Sequence, residues 1–164
     1  AVATAASPAP TDLGGVRYSI SGAASLPSRI IEPWEERTGG LLVEGYGLTE
    51  TSPVLTINPL DDTRRAGTIG LPLPDTQLRI GDPHDLSRTQ PDGEAGEILA
   101  RGPQVFSGYL ADAPATAAAF HEGWFRTGDM GVREPDGHIR LVGRIKEIII
   151  TGGFNVYPLS LIHI

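Results

Sequence analysis

The stretch EGYGLTE, residues 44–50, places an aromatic ring, a hydroxyl and a carboxylate between glycines. Glycines have no side chain and allow a close approach of the backbone to a ligand. The ring of Tyr46 could lie on a planar base. Thr49 offers a hydroxyl to a phosphate oxygen, and Glu50 offers a hard carboxylate suited to Mg²⁺. The alternative is an ordinary strand-to-helix turn in which Thr49 or Thr51 caps the next helix.

Two later glycine-containing stretches also carry charged residues. In GWFRTGDMG, residues 123–131, Asp129 follows a glycine, and an ionised carboxylate only accepts hydrogen bonds, so it could hold both hydroxyls of a ribose. In GRIKEIIITGGFNVYP, residues 143–158, Arg144 has donors only and Lys146 supplies a second cation. The alternatives are an aspartate in a β-turn and a charged strand edge closed by a glycine turn.

The bulk composition excludes several classes of function. The chain has 164 residues, 40% of them hydrophobic, and a net charge of −7, which argues against a nucleic-acid surface but not against a nucleotide. It contains no cysteine, which excludes disulfides, thiolate zinc sites and cysteine nucleophiles. No apolar run approaches the roughly 20 residues of a membrane span. The beginning of the chain is a poor signal peptide. We therefore expect a cytoplasmic protein, and a peripheral membrane contact stays open.

The order of elements in the first part of the chain predicts a parallel sheet. Residues 16–24 indicate a strand leading into a tight loop, and residues 26–40 indicate a helix that two glycines end. A short strand from Leu41 to Val43 follows and breaks at Gly45. Strand, helix and strand in this order form a parallel crossover, and ligands bind at the carboxyl ends of such strands.

The sequence pattern changes after Pro59, where short runs typical of β-strands alternate with Pro-Asp-Gly turns. The turn at residues 135–137 predicts a hairpin. Residues 112–123 predict one short helix with Gly123 beyond its end. The fold class is therefore α/β: the end of a parallel sheet layer, a small antiparallel barrel-like subdomain and the start of a C-terminal domain.

The three stretches, in this order and with these separations, resemble the adenylate-forming (AMP-binding) acyl-CoA synthetases. YGLTE, TGD and GR-K-E with a glycine-rich loop after it carry the resemblance, which extends from Val16 to Pro158. It is greatest to long-chain fatty-acid–CoA ligases. The alternatives are an aryl-acid ligase or carrier-protein-loading adenylation domain and, from another class, a β-rich binding domain that uses no ATP.

The resemblance implies a reaction in two steps. A carboxylic acid attacks the α-phosphate of ATP, with Mg²⁺ present, and the thiol of coenzyme A then displaces AMP. Carried over by position, Tyr46 would stack on adenine, Thr49 would bind the α-phosphate and Glu50 would hold Mg²⁺. Asp129 would hold the ribose hydroxyls, with Arg144 donating to the same sugar.

The remaining site residues also come from the resemblance. Lys146 would sit at the hinge about which a C-terminal domain turns. Gly152 and Gly153 would pass beside the pantetheine arm of coenzyme A. The rest of the expected nucleotide and acyl pocket comprises Gly22, Ala23, Ala24, Glu44, Gly45, Gly47 and Leu48.

We expect the chain to be a partial enzyme divided into five segments. Residues 1–15 are a truncated linker or preceding element, 16–60 and 61–143 belong to the AMP-binding domain, and 144–158 form the hinge and the start of the C-terminal domain. The sequence lacks the upstream phosphate loop and the late lysine of the family, so we expect no ligase activity from it alone. Residues 159–164, LSLIHI, match a translated sequencing adaptor and are interpreted as a non-native tail, the alternative being a buried strand.

Overall fold

The computed structural model describes residues 13–24, 26–147, 149–151 and 154–156. Within them, two β-sheets and a two-stranded pair accompany two short α-helices. The predicted α/β class, a parallel pair followed by an antiparallel barrel-like sheet, is confirmed. The first strands are β1 (Tyr18–Ser21), β2 (Leu41–Gly47), β3 (Val54–Ile57), β4 (Leu71–Pro72), β5 (Gln77–Asp82) and β6 (Asp85–Thr89). The later ones are β7 (Ala95–Arg101), β8 (Phe120–His121), β9 (Trp124–Arg133), β10 (Ile139–Arg144), β11 (Ile149–Thr151) and β12 (Phe154–Val156).

The predicted parallel crossover is present at the start of the chain. Strand β1 pairs in parallel with β2, from Tyr18 opposite Leu41 to Ser21 opposite Glu44. Helix α1 (Ile31–Thr38) connects them, and it ends at Gly39, whose φ of 70° suits a residue without a Cβ. The indole nitrogen of Trp34 donates to the Ser19 hydroxyl at 2.9 Å, which fixes the helix to the sheet.

The prediction that the second strand breaks at Gly45 is wrong. Strand β2 continues to Gly47 and pairs antiparallel with β3, with an irregularity between Tyr46 and Gly47. A Cβ on Gly47 would lie 1.7 Å from the carbonyl oxygen of Pro53. Glycine is required at this position because two strands of one sheet approach closely there, so Tyr46 belongs to a strand and not to a flexible turn.

The larger sheet is antiparallel, in the order β10-β9-β7-β5-β6, with β8 pairing with β9. The hairpin predicted at residues 135–137 connects β9 to β10 and is confirmed, with Gly137 at a φ of 90°. The isolated bridge between Gly70 and Ile139 joins this sheet to the segment before β4. Strand β4 itself pairs with β3 in the first sheet.

The short helix predicted in residues 112–123 is present but ends earlier than predicted. Helix α2 covers Ala113–Ala119, and the Asp112 carboxylate accepts a hydrogen bond from the Ala115 backbone amide as its N-terminal cap. The chain then turns into the β8–β9 hairpin, with Glu122 and Gly123 both at positive φ. Gly123 therefore serves a two-residue hairpin turn and does not end the helix.

The apolar core lies between the two sheets. Ile69, Ile80, Ile98 and Ile139 form one buried cluster, and Leu55, Ala100 and Phe125 form another. The half-buried side chain of Tyr46 packs against both clusters. This aromatic residue of the first sheet is thereby held against the antiparallel sheet that carries Asp129.

Candidate nucleotide site

The structure brings three of the predicted site residues together in one cluster, which a hydrogen bond and an ion pair connect. Tyr46 lies in β2, Asp129 in β9 and Arg144 at the end of β10, where it faces Asp129 across the sheet. The Tyr46 hydroxyl donates to Asp129 Oδ2 at 2.7 Å, and Arg144 Nε lies 3.0 Å from Asp129 Oδ1. We call these residues the Tyr46–Asp129–Arg144 cluster. Residues 83 positions apart in sequence thus meet at one carboxylate.

The cluster has a buried centre and an exposed rim. The Asp129 side chain is 7% exposed, whereas the Arg144 side chain is 64% exposed. Burial, and then the negative charge of Asp129, raises the pKa of the Tyr46 phenol far above its ordinary value. Tyr46 therefore remains a neutral donor to Asp129 at every physiological pH. The long side chain of Arg144 is the part of the cluster that faces solvent.

A bulge in β9 presents Asp129. Between the pairs Leu99–Arg126 and Glu97–Met130, one residue of β7 faces three residues of β9, namely 127–129. Gly128 takes a φ of 73° in this bulge. Bulges re-aim side chains and occur often beside functional sites. The alternative interpretation of Asp129 as a β-turn residue is wrong, because it lies inside a strand.

Two polar side chains that the sequence analysis missed hold this bulge. Glu97, 1% exposed, accepts from the Gly128 amide at 3.2 Å and from Arg126 Nη2 at 3.0 Å. The Thr127 hydroxyl donates to the Ile98 carbonyl at 2.8 Å and accepts from the Asp129 amide at 3.1 Å. The available signal was a lone carboxylate within the apolar run AGEILA, since a buried charge requires a partner.

Matches to known proteins were found for most of the chain. The family model described as "AMP-binding enzyme" matches residues 2–110. The chain belongs to the AMP-binding enzyme family. The predicted family is thereby confirmed.

Three relatives indicate the breadth of this similarity. The chain is 43% identical, over 90% of its length, to the long-chain-fatty-acid–CoA ligase of Yersinia pestis and covers 26% of that protein. ATP-bound MatB from Rhodopseudomonas palustris matches with a TM-score of 0.88 and 38% identity, over 98% of this chain and 32% of that one. The O-succinylbenzoate–CoA synthetase of Bacillus subtilis, in complex with ATP and magnesium, matches with a TM-score of 0.78 and 29% identity, over 87% and 29%. The chain spans about a quarter to a third of the length of these relatives.

A later loop of the chain, which contains Phe106 and Tyr109, contacts Glu50. Glu50 lies in the 3₁₀ helix Thr49–Thr51, and its Oε1 accepts from the Tyr109 hydroxyl at 2.9 Å. Its carbonyl oxygen accepts from the Phe106 amide at 2.8 Å. The hydrogen bond to Glu50 raises the pKa of Tyr109. Tyr109 was not among the predicted site residues.

The two threonines of this 3₁₀ helix have different environments. Thr49 is exposed, so its hydroxyl is accessible to a ligand. Thr51 is fully buried, and its hydroxyl accepts from the Leu48 amide at 2.9 Å. Neither threonine is the N-cap residue of this helix, which is Leu48, and Thr51 instead binds the Leu48 amide from the third helical position.

Glu44 belongs to β2, and the loop after β1 contacts the same strand. The buried Glu44 carboxylate accepts from the Gly67 amide at 3.0 Å, and burial raises its pKa. The loop after β1 lies against β2, since a Cβ on Gly22 would come within 3.4 Å of the Gly45 carbonyl oxygen. Ala23, in the same loop, takes a φ of 66°.

The residues after β10 are placed only in part. Lys146 is exposed in the 3₁₀ helix Ile145–Glu147, directly after Arg144. Strand β11 begins at Ile149 and pairs with β12. Gly152 and Gly153 lie outside the described residues.

An open groove of about 570 Å³ in the described part of the chain is lined by no predicted nucleotide residue. That groove is lined by Arg65, Ala66, Thr68, Glu134, Pro135 and Asp136. A smaller cavity of about 120 Å³ touches the predicted site only through Glu44. We locate the candidate site at the Tyr46–Asp129–Arg144 cluster because the Asp129 side chain is buried, whereas the Glu134 and Asp136 side chains of the groove are about one third exposed.

The described residues also limit the kinds of metal site. Among them, no group of three or more histidines and carboxylates is placed to hold a metal ion. Glu50 Oε2 has no hydrogen-bond partner within this part of the chain, whereas Oε1 is paired with Tyr109. Mg²⁺ commonly takes one or two carboxylates and completes its shell with water and phosphate oxygens. One carboxylate with a free oxygen fits that mode of binding.

None of the described helices has the length and apolar character of a membrane span.

Proposed function

We propose that the chain is the nucleotide-binding part of an ATP-dependent acid–CoA ligase that forms an acyl adenylate. A carboxylate oxygen would attack the α-phosphorus of ATP and expel pyrophosphate, and the thiol of coenzyme A would then displace AMP. The observation that carries the proposal is the Tyr46–Asp129–Arg144 cluster, in which the motifs of an AMP-binding family meet at one buried carboxylate.

Asp129 is suited to hold ribose hydroxyls. An ionised carboxylate offers about four lone-pair sites, and among the described residues Tyr46 donates a hydrogen bond to Asp129 and Arg144 forms an ion pair with it. The remaining capacity could accept a hydroxyl without the loss of either bond. Arg144 carries five guanidinium N–H donors on a side chain that is 64% exposed, so donors are available to the sugar. The hydroxyl of Tyr46 fixes the carboxylate while part of its ring remains accessible to a base.

Glu50 and Thr49 would hold the triphosphate end of the nucleotide. When bound, Mg²⁺ would neutralise phosphate charge and so stabilise the displacement at phosphorus. Glu50 offers its free Oε2 to the metal, and the exposed Thr49 hydroxyl can donate to a phosphate oxygen. Such transfers depend on position and charge more than on covalent catalysis by the protein.

The hinge and the coenzyme A contacts complete the proposal. Lys146 stands at the exposed turn between the antiparallel sheet and β11, a position that suits a pivot. Gly152 and Gly153 keep their proposed place beside the pantetheine arm on the basis of the family resemblance. The division at residues 16–60, 61–143 and 144–158, and a cytoplasmic location, stay predictions.

The acid that is activated is proposed to be a long-chain fatty acid. The identity of 43% to a fatty-acid ligase supports this class. An aryl acid is the second candidate, because an O-succinylbenzoate ligase is also structurally similar. Family membership argues against the third interpretation, a β-rich domain without nucleotide.

Isotope exchange between pyrophosphate and ATP tests the proposal in the full-length protein that carries the chain. Acid-dependent exchange with palmitate but not with benzoate or O-succinylbenzoate would support the fatty-acid assignment, and the opposite order would support the aryl one. Glu50→Gln should lower the exchange rate by at least tenfold and leave AMP affinity within about twofold, because AMP needs no metal. Absence of both AMP binding and exchange with every acid would contradict the proposal.

A further inference from the structure

We infer that Tyr109 is a positioning residue that orients the Glu50 carboxylate toward the metal. This inference rests on the proposed function, since it concerns the metal that Glu50 would hold. The Tyr109 hydroxyl donates to Oε1 at 2.9 Å across 59 residues of sequence. Oε2 has no partner among the residues that the structure describes, so the bond makes the two carboxylate oxygens unequal. Oε2 is left as the oxygen available to a cation.

The loop that carries Tyr109 holds Glu50 by its backbone as well. The Phe106 amide donates to the Glu50 carbonyl oxygen at 2.8 Å, three residues before Tyr109. Both ends of Glu50, its carbonyl and its carboxylate, are thus bound by one short loop. A carboxylate held in one rotamer loses less conformational entropy when it binds a metal.

The loop is itself anchored to rigid elements. The Tyr109 amide donates to the Thr116 hydroxyl of helix α2 at 2.9 Å. The ring of Phe106 stacks on Phe120 at 5.6 Å and meets Phe125 edge-on at 5.4 Å between centroids. Phe125 belongs to β9, the strand that carries Asp129. The same strand therefore supports the ribose carboxylate directly and the metal carboxylate through this aromatic cluster.

Tyr109 contacts Glu50 through its hydroxyl and Phe106 through its ring, so a substitution can remove the first contact and keep the second. Its ring is 41% exposed and meets Phe106 edge-on at 4.9 Å. Tyr109→Phe keeps that ring contact and removes only the hydroxyl. Mutation of a residue that hydrogen-bonds a metal ligand typically lowers metal affinity by 10- to 100-fold. Because Tyr109 is partly exposed, we expect the lower end, about tenfold.

The test is the affinity of the full-length protein for Mn²⁺, a paramagnetic substitute for Mg²⁺, in the presence of α,β-methylene-ATP. Free Mn²⁺ is measured by electron paramagnetic resonance, so no turnover is involved. Tyr109→Phe should weaken Mn²⁺ binding by about tenfold and leave the affinity for metal-free AMP unchanged. Tyr18→Phe is the matched control, because Tyr18 is 46% exposed on β1 and should change neither affinity.

A double-mutant cycle with Glu50→Gln separates the possible results. If Tyr109 acts through Glu50, Tyr109→Phe should have no further effect on Mn²⁺ binding in the Glu50→Gln background. Unchanged or tighter Mn²⁺ binding in Tyr109→Phe alone would overturn the inference, and tighter binding would mean that the tyrosine competes with the metal. Absence of AMP binding in the wild-type protein would instead contradict the proposed function.

Discussion

Replacement of Asp129 by alanine tests the central contact of the candidate site. The substitution leaves the hydroxyl of the half-buried Tyr46 without its acceptor, and a hydroxyl left unsatisfied in the interior costs about 1–3 kcal/mol. Arg144 contributes little to this cost, because its side chain is 64% exposed and regains water when the carboxylate is removed. We therefore expect Asp129→Ala to lower the free energy of unfolding by about 2 kcal/mol.

The origin of that loss can be isolated by a double-mutant cycle. Tyr46→Phe removes the hydroxyl that Asp129→Ala leaves unpaired. The double variant should be more stable than the sum of the single effects predicts, by about 1–2 kcal/mol. Urea unfolding of the four proteins, followed by circular dichroism, measures this difference. Additivity within about 0.5 kcal/mol would refute the argument that the hydroxyl depends on Asp129.

Asp129→Ala should also weaken nucleotide binding by tenfold or more. A charge-assisted hydrogen bond to a ribose hydroxyl contributes about 1.5–3 kcal/mol. Titration calorimetry with AMP measures this effect, and the KM for ATP should rise similarly. Asp92→Ala is the matched control, since Asp92 pairs with Arg133 at an exposed site and should alter neither stability nor affinity appreciably. An unchanged AMP affinity in Asp129→Ala would remove this residue from the ribose site.

Two further predictions concern the strand that carries Tyr46. Gly47→Ala should destabilise the protein by about 3 kcal/mol or more, because its Cβ would overlap the Pro53 carbonyl oxygen, whereas Gly15→Ala, with no atom within 4 Å, should be neutral in thermal unfolding. Burial raises the pKa of Glu44, so the folded state binds its proton more tightly than the unfolded state does, and the stability that Glu44 contributes falls as pH rises above the ordinary carboxyl range. Glu44→Gln should accordingly gain stability relative to the wild type between pH 4 and pH 7 in urea unfolding, and a relative loss over that range would contradict this sign.

Much of the local structure could be predicted from the sequence because glycine marks helix ends and hairpin turns that need a positive φ. The helix end at Gly39 and the hairpin at Gly137 follow from residues that tolerate positive φ, and both are confirmed. The same reasoning failed at Gly45, where it predicts a break although β2 continues to Gly47. Glycine in a strand can equally mark close approach of another backbone, and only the pairing with β3 distinguishes the two meanings.

The supporting residues of the site could not be predicted because their partners are remote in sequence. Glu97 and Tyr109 lie outside the three motif stretches, at residues 44–50, 123–131 and 143–158. Glu97 acquires a role only when β7 pairs with β9 and the bulge exposes the Gly128 amide to it. Tyr109 acquires one only when its loop reaches Glu50, 59 residues earlier. Motifs identify the groups that would touch a ligand, whereas tertiary pairing decides which groups hold them in place.

The position of Arg144 offers a physical link between the nucleotide site and the proposed hinge. Its guanidinium reaches Asp129, while its backbone leads directly into the 3₁₀ helix Ile145–Glu147 that contains Lys146. Arg144 and Asp129 lie on paired strands of one sheet, so in the proposed rotation about Lys146 their contact stays with that sheet while the residues after Lys146 move. A ligand shifts a conformational equilibrium only if it binds the two states differently. In the proposed function, a nucleotide on Asp129 would therefore bias the hinge only if residues after Lys146 contact it in one orientation and not in the other.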